Sequence, residues 1–305
     1  MPLFGRRPSR PARLRLRTGT GGRGPLAGQA DWRAYDAVAA EYARVHAPRM
    51  DLVARDLVAA VGLPQGARVL DVGTGTGVAA RRAAEGAGSE GLVVGVDASL
   101  PMLEEAARAG GGPRYVAAEA IDLPFGGGAF DAVLASFVLA HFANHETALD
   151  DMVRVLVPGG RLGVTAWGPE EDEFSQAWQE VAEEFASREI LLDARRQATP
   201  GADRFADRER LREALAAAGL REVRVERREY RFVITAEEYL VGREISPTGR
   251  FLREMLGEAL WERFRRRARE AFARRFPPRF NDFRDVNLAV GTKPRRAAPP
   301  EPWPR

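Results

Sequence analysis

Residues 69–77 read VLDVGTGTG, with glycines at 73, 75 and 77 directly after an apolar run that ends in Asp71. Glycine weakens both strands and helices, so three on alternate positions mark a turn that something approaches closely. An apolar strand running into a glycine-rich turn and then a helix is the arrangement that binds nucleotide-like ligands. The ligand meets bare backbone and the positive end of the helix, in the crevice at the carboxyl ends of the strands. A second apolar run, GLVVGVD, ends in Asp97, 24 residues after Gly73. The dinucleotide fingerprint requires a glycine at the sixth position counted from Gly73, and that position is Val78. The spacing is G-x-G-x-G, and it calls for a different ligand.

Other side chains able to do chemistry are few. The three histidines, His46, His141 and His145, are scattered without metal-ligand spacing, so no metal is expected. Cysteine is absent, which removes disulfides, thiolate ligands and cysteine nucleophiles. His141 follows an apolar run, SFVLAHF, near the end of a strand, and could act as a general base near neutral pH or simply pack. His145 is expected to help start a helix, and His46 to be structural.

These residues need a scaffold, and the hydropathy pattern supplies one. ARVLDVG and GLVVGVD are short continuous apolar runs, as in strands covered on both faces. Helical segments follow each. PRYVAAE, FDAVLAS and GRLGVTAW predict three more strands, with the helix HETALDDMVRVLV stopping at Pro158-Gly159-Gly160. The β-α alternation predicts a doubly wound α/β fold with a mostly parallel sheet. Beyond Trp167, EFSQAWQEVAEEFASREILL reads as one helix and DRERLREALAAAG as another. REVRVERREYRFVI alternates as a strand with one exposed face, and DVNLAVGTK closes the sheet as a short last strand. About fifty residues between those two strands carry helical periodicity and predict a cap. Within it, Leu252, Leu256, Leu260, Phe264, Ala268, Phe272 and Phe276 fall four apart among many arginines. This is a lid helix, with Arg265, Arg266 and Arg267 as surface charge or contacts to an acidic acceptor; basic amphipathic helices can also lie on membranes.

The strand order and the spacing of the acids resemble class I S-adenosylmethionine-dependent methyltransferases with a methyltransferase type 11-like core. The residues that carry the resemblance are VLDVGTGTG, Asp97, the run AEAIDLPFGGGAFDAVLAS and the run RVLVPGGRLGVTAW. It covers roughly residues 30–292 and implies a seven-stranded, Rossmann-like sheet with an antiparallel last strand. It implies S-adenosyl-L-methionine as cofactor, with Asp97 accepting from both ribose hydroxyls. Glu119 and Ala120 stand where close relatives use an Asp and the following N–H for adenine; Glu reaches one methylene further. Asp71 orients the turn or reaches the cofactor's amino group through water. The remaining implied cofactor residues are Gly73, Thr74, Gly75, Gly77, Ala98, Met102 and Ser136. The segment DWRAYDAVAAEYARVH, with Trp32, Tyr35 and Tyr42 at helical spacing, either packs on the domain or closes over the cofactor with Tyr35 and Tyr42 near its methionine end.

Composition bounds the function. The chain has 305 residues, 45% hydrophobic and 29% charged, and a net charge of +3. Seven arginines and no acid lie in residues 1–28, and residues 293–305 carry +3, which leaves −7 on residues 29–292. An acidic body makes nucleic acid an unlikely partner and favours a small-molecule methyl acceptor. Both basic ends read as disordered tails flanking one domain, with helical insertions at about 170–204 and 236–284. The strand after FDAVLA ends in Ser136-Phe137-Val138-Leu139, not in the Asn/Asp-Pro-Pro-aromatic motif of enzymes acting on base amino groups. The N-terminal signature of quinone-pathway C-methyltransferases is also missing. No segment has the apolar length of a membrane span and no secretory core opens the chain, so a cytoplasmic location is expected. The competing readings are an RNA- or protein-directed methyltransferase docking through its basic tail, and a cofactor-binding protein without turnover.

Overall fold

The computed structural model describes residues 34–169 and 172–295. Both basic tails, apart from residues 293–295, lie outside those residues, as does Trp32. Seven strands form one sheet: β1 (Arg68–Val72), β2 (Leu92–Asp97), β3 (Arg114–Ala117), β4 (Phe130–Ser136), β5 (Leu156–Trp167), β6 (Arg221–Thr235) and β7 (Arg279–Thr292). Their order is β3-β2-β1-β4-β5-β7-β6. The first five are parallel, and β7 runs antiparallel to both β5 and β6. β1 pairs with β2 on one side and β4 on the other, so all but its first residue is buried. That burial is why its buried residues 69–72 are apolar, with Asp71 as the exception. The order reverses at β1, and the crevice at the carboxyl ends of β1, β2 and β4 is therefore the place for a ligand.

The expected helices form, with informative differences. The helix His145–Val155 starts at Asn144, whose side chain accepts from Thr147 N–H at 3.2 Å. His145 contributes packing instead, its ring edge-on to Phe205 at 5.1 Å. Pro158-Gly159-Gly160 does not separate helix from strand. β5 opens at Leu156 and carries these residues as an irregularity, the register jumping from Phe130↔Leu156 to Ala132↔Arg161. Lys293, expected to begin a loose tail, donates from Nζ to the carbonyls of Val153 and Leu156, both at 2.7 Å. It thereby satisfies carbonyls that the end of the helix leaves open.

The segment expected as one helix after Trp167 is two, Glu173–Glu183 and Arg188–Ala198, because Ser187 takes an extended conformation and caps the second. β7 is longer than its sequence pattern predicts. β6 and β7 continue as a two-stranded ribbon from Glu229↔Asp285 to Thr235↔Arg279, past the end of β5. This ribbon carries Tyr230, Phe232, Ile234 and Phe280 into a second apolar core beneath the helical segments.

The helix Pro247–Arg275 is broken at Gly257, whose φ of 65° and ψ of 170° are not helical. The break resets the phase of the apolar stripe. Leu260, expected on the buried face, is 47% exposed, and its neighbour Trp261 is buried at 3% among Trp178, Phe264 and Phe272. The fourfold spacing in the sequence thus misplaces one position, because a glycine that breaks the helix cannot be told from one that continues it. Among the described residues, no helix is long and apolar enough to cross a membrane.

The reset predicts opposite outcomes at adjacent positions. Trp261→Ala is expected to cost about 3–5 kcal/mol of stability, the range for emptying a large aromatic site. Leu260→Ala should stay within about 0.5 kcal/mol, as an exposed substitution. Urea unfolding of both variants checks this; equal losses would mean that the stripe is continuous.

Candidate functional site

β1 leads into Gly73-Thr74-Gly75-Thr76-Gly77 and then the helix Val78–Ala87. The three glycines have φ of 66°, 50° and 77°, all left-handed. Their surroundings differ. A Cβ on Gly73 would lie 2.3 Å from Val138 Cγ2, and one on Gly77 would lie 2.4 Å from the Tyr115 hydroxyl. A Cβ on Gly75 would meet nothing within 4 Å. Two of the three glycines are therefore required by the protein's own packing, and only Gly75 borders open space. This corrects the expectation that all three make room for a ligand; the contacts with Val138 and Tyr115 join distant parts of the chain and leave no local signal.

The two acids divide the labour. Asp97, half-buried at the end of β2, accepts from Gly75 N–H through Oδ2 at 2.8 Å and from Ser99 N–H through Oδ1 at 2.9 Å. Burial raises its pKa, and the surrounding N–H groups oppose that rise. Ala98 N–H also acts on this carboxylate, which leaves part of its acceptor capacity for a further donor. Asp71 is 1% exposed and accepts from the Thr74 hydroxyl at 2.7 Å. Thr74 N–H in turn donates to the Val96 carbonyl at 2.9 Å. Asp71 therefore holds the turn from behind. Burial pushes its pKa up to about 7, against the opposing effect of the Thr74 hydroxyl and the Ala80 N–H.

On the far side of Asp97, Ala98 is exposed and Met102 is buried, with Met102 N–H on the capping Ser99 hydroxyl at 3.3 Å. Leu100 and Ile121 leave large apolar surfaces open at 61% and 51%. Between them in sequence, Glu119 is exposed, its carbonyl accepting from Asp122 N–H at 3.2 Å and its carboxylate without a hydrogen-bond or ion-pair partner among the described residues, while Ala120 is buried. Exposed apolar side chains following β2 and β3, with an exposed carboxylate near the second in sequence, suit a flat base with an amino group.

On the near side stands a cluster of rings. Tyr35 meets Tyr42 edge-on at 5.8 Å and His141 edge-on at 5.6 Å, and the Arg250 guanidinium lies over Tyr35 at 4.4 Å. Burial raises the pKa of both tyrosines and lowers that of His141. His141 Nδ1 lies 3.2 Å from the Ala198 carbonyl, which can only accept. The proton therefore sits on Nδ1, and Nε2 is left as the basic nitrogen. His46 tilts against Tyr42 at 4.9 Å and, buried, has a pKa pushed down to about 4; it packs near Gly242 and stays outside the ring cluster's chemistry. Ser136 closes β4, its hydroxyl 3.0 Å from that of Thr165.

The structure thus gathers Tyr35, Tyr42, Gly75, Asp97 and His141 around one end of the sheet and puts Glu119 on its flank. Pattern reading missed Arg250, because its role depends on how the cap docks. It also missed Phe137, a non-glycine residue at φ 57°. The lid arginines are engaged elsewhere. Arg265 pairs with Glu244 and Glu262 at 3.0 and 2.8 Å, and Arg267 with Glu184 at 2.7 Å, which makes these two surface ion-pair partners of the cap, while Arg266 is exposed. Their apolar face is in the second core, which removes the membrane reading of this helix.

Comparison with known proteins follows the same outline. Residues 70–164 match the family described as Methyltransferase domain. A demethylmenaquinone methyltransferase of Thermus thermophilus is 47% identical over 107 residues, covering 33% of this chain and 48% of that protein. One from Renibacterium salmoninarum is 43% identical over 110 residues, 36% of this chain and 45% of that protein. The chain therefore spans about half the length of the curated relatives it matches. A solved structure of a candidate methyltransferase from Bacillus halodurans superimposes with a TM-score of 0.51 at 20% identity, over 79% of this chain and 98% of that one. The seven-stranded sheet with its antiparallel β7 is the fold these structures share.

Two outcomes follow from the turn. Gly73→Ala should cost about 3 kcal/mol or more, combining left-handed strain with overpacking against Val138. Gly75→Ala carries only the strain, about 1–2 kcal/mol, yet places a methyl in the open space and should weaken ligand binding. Thermal unfolding alongside ligand titration separates them; a Gly75→Ala protein that binds normally overturns the assignment of that space. Asp71 gives a pH signature. Its folded pKa lies above the ordinary 3.8, so the folded state holds the proton more tightly and stability falls as pH rises from about 4 through about 7. Asp71→Asn keeps an acceptor for Thr74 and should flatten the stability curve across that window, as read by unfolding at pH 5 and pH 8.

Proposed function

We propose that this chain, a class I S-adenosylmethionine-dependent methyltransferase by its sheet and its domain match, transfers a methyl group to a small-molecule acceptor by in-line displacement. The observation that carries the reading is the pairing of Asp97 with the one open glycine. Asp97 fixes Gly75 N–H, accepts from Ser99 N–H and keeps acceptor capacity at the open side of the turn, which fits a ribose hydroxyl pair. The open space at Gly75 fits close approach of the same ligand. The unengaged Glu119 and the apolar surfaces of Leu100 and Ile121 fit an adenine. Bound S-adenosylmethionine supplies a methyl made electrophilic by its sulfonium.

The chain's own residues do the rest by position. Tyr35 and Tyr42 cover the near side of the turn and exclude water there. His141 Nε2 can take a proton from an acceptor hydroxyl or amine, held ready by the Nδ1 contact with Ala198. Holding acceptor and methyl in line accounts for most of the acceleration in a reaction of this kind. The acceptor side is built outside the glycine turn, from the β4 turn, the end of β5, the segments beyond Trp167 and the N-terminal segment. The relatives named demethylmenaquinone methyltransferases match only about a third of this chain, so their acceptor is not carried over to it. The net −7 of residues 29–292 favours a small acceptor over a nucleic acid.

Calorimetric titration with S-adenosylmethionine and S-adenosylhomocysteine tests the cofactor part. A hydrogen bond to a charged group is worth about 1.5–3 kcal/mol, so Asp97→Ala should weaken binding by about tenfold or more, with Asp97→Asn in between. Substitution of Glu119 by Gln should cost less. A folded Asp97→Ala protein that binds both compounds like the parent would sink the assignment. Transfer of radiolabelled methyl to a small-molecule panel, with RNA and protein fractions in parallel, tests the acceptor part. Label found only in RNA or protein would overturn it.

A further inference from the structure

Phe137 is a bulky residue in the left-handed region, with φ of 57°. A non-glycine residue there carries about 1–2 kcal/mol of strain, and such strain concentrates at functional sites. Its backbone is held in place by Thr165, whose carbonyl and hydroxyl accept from Phe137 N–H at 3.0 and 3.2 Å. Thr165 is fully buried, so the clamp is rigid. The conformation aims the Phe137 ring at Trp167, the last residue of β5, and the two stack at 4.1 Å with 21° between planes.

Trp167 is 41% exposed although it ends a central strand flanked by helical segments. Phe137 covers one face of the indole. The exposure therefore belongs largely to the opposite face and edges, an unused π surface. The pair also stands in the right place. Val138, the next residue, lies against Gly73 of the turn, and Ser136 ends β4 beside it. Ala98 and Leu100 directly follow β2, on the far side of β1, whereas Trp167 ends β5. At roughly 4.8 Å per strand, about 14 Å of sheet separates β2 from β5, so one flat base cannot serve both.

We propose that the Phe137–Trp167 stack is the acceptor platform, and that the acceptor presents a planar conjugated ring to the free face of Trp167. The proposal rests on the methyltransferase reading above and narrows its acceptor class. Offset stacking on indole discriminates flat rings from puckered ones, because only a flat ring keeps its whole face in contact. Phe137 is then a positioning residue that sets the plane of Trp167.

The test uses the full chain loaded with S-adenosylhomocysteine and two probes of equal skeleton, 2-naphthol and its saturated counterpart decahydro-2-naphthol. The expected result is saturable binding of 2-naphthol at least tenfold tighter than of the saturated probe. Trp167→Leu keeps an apolar strand residue and removes the π face; it should weaken 2-naphthol at least fivefold. Trp167→Phe should stay within about threefold of the parent, and neither variant should change the affinity for S-adenosylhomocysteine. Absence of saturable 2-naphthol binding, equal binding of the two probes, or full affinity in Trp167→Leu each overturns the platform. If the parent fails to bind S-adenosylhomocysteine, the cofactor reading fails instead, and the same probe series run without it still decides the platform.

Discussion

Two turns meet at the centre of this site, and the rest is arranged around their contact. Val138, leaving β4, lies so close to the turn leaving β1 that a methyl on Gly73 would fall 2.3 Å from its side chain. Parallel neighbours in a doubly wound sheet bring their carboxyl ends together, and the two connections must share the space above them. The chain resolves the conflict by removing the side chain from one turn. The glycine turn can then lie flat against β4, with Thr74 hydrogen-bonded to β2 through Val96 and to Asp71 beneath it. Once the turn is fixed at both ends, Gly75 N–H points at Asp97 and the open side of the turn is defined. The same crowding fixes the β4 turn, where Phe137 takes its strained conformation one residue before Val138.

The cofactor half was legible because its constraints are local. A buried parallel strand reads as an apolar run, a left-handed turn reads as glycine, and an acid ending the second strand reads as Asp97. What could not be read was which side of each constraint mattered. Gly73 and Gly77 look like Gly75 in sequence, but their neighbours Val138 and Tyr115 are 65 and 38 positions away. Asp71 and Asp97 both follow apolar runs, and only burial separates the one that holds the turn from the one with acceptor sites to spare. Arg250 and the Phe137–Trp167 stack depend on how the cap docks and on one φ angle, neither of which leaves a pattern.

The second half failed in the details for a related reason. Its helices are short, arginine-rich and weakly patterned, and capping residues decide their limits. Ser187 and Gly257 cut two expected helices, and the second break leaves Leu260 exposed and buries Trp261 in its place. The arginines that dominate the composition are largely engaged in pairs. Arg269 bridges Glu237 and Glu244 at 2.6 and 2.9 Å, joining the helix Ala236–Glu244 to the long helix after it. Single surface pairs contribute little, about 0–1 kcal/mol each, so their main effect is to fix geometry among helices whose apolar faces supply the stability.

That division of labour explains how the cap can be both attached and independent. The β6–β7 ribbon extends past β5 and builds a second apolar core, so the cap has its own foundation and does not borrow the core under β1 and β4. It returns to the cofactor half through a small number of directed contacts. Arg250 over the ring of Tyr35 at 4.4 Å joins the insertion between β6 and β7 to the N-terminal segment, a cation–π contact worth up to about 2 kcal/mol when desolvated. The Nδ1–H of His141 on the Ala198 carbonyl joins the β4 turn to the end of the helix Arg188–Ala198. Both contacts fall on the ring cluster next to the turn. The surfaces that would face an acceptor are therefore held by elements that can vary without disturbing Asp97, Gly75 and the strands beneath them.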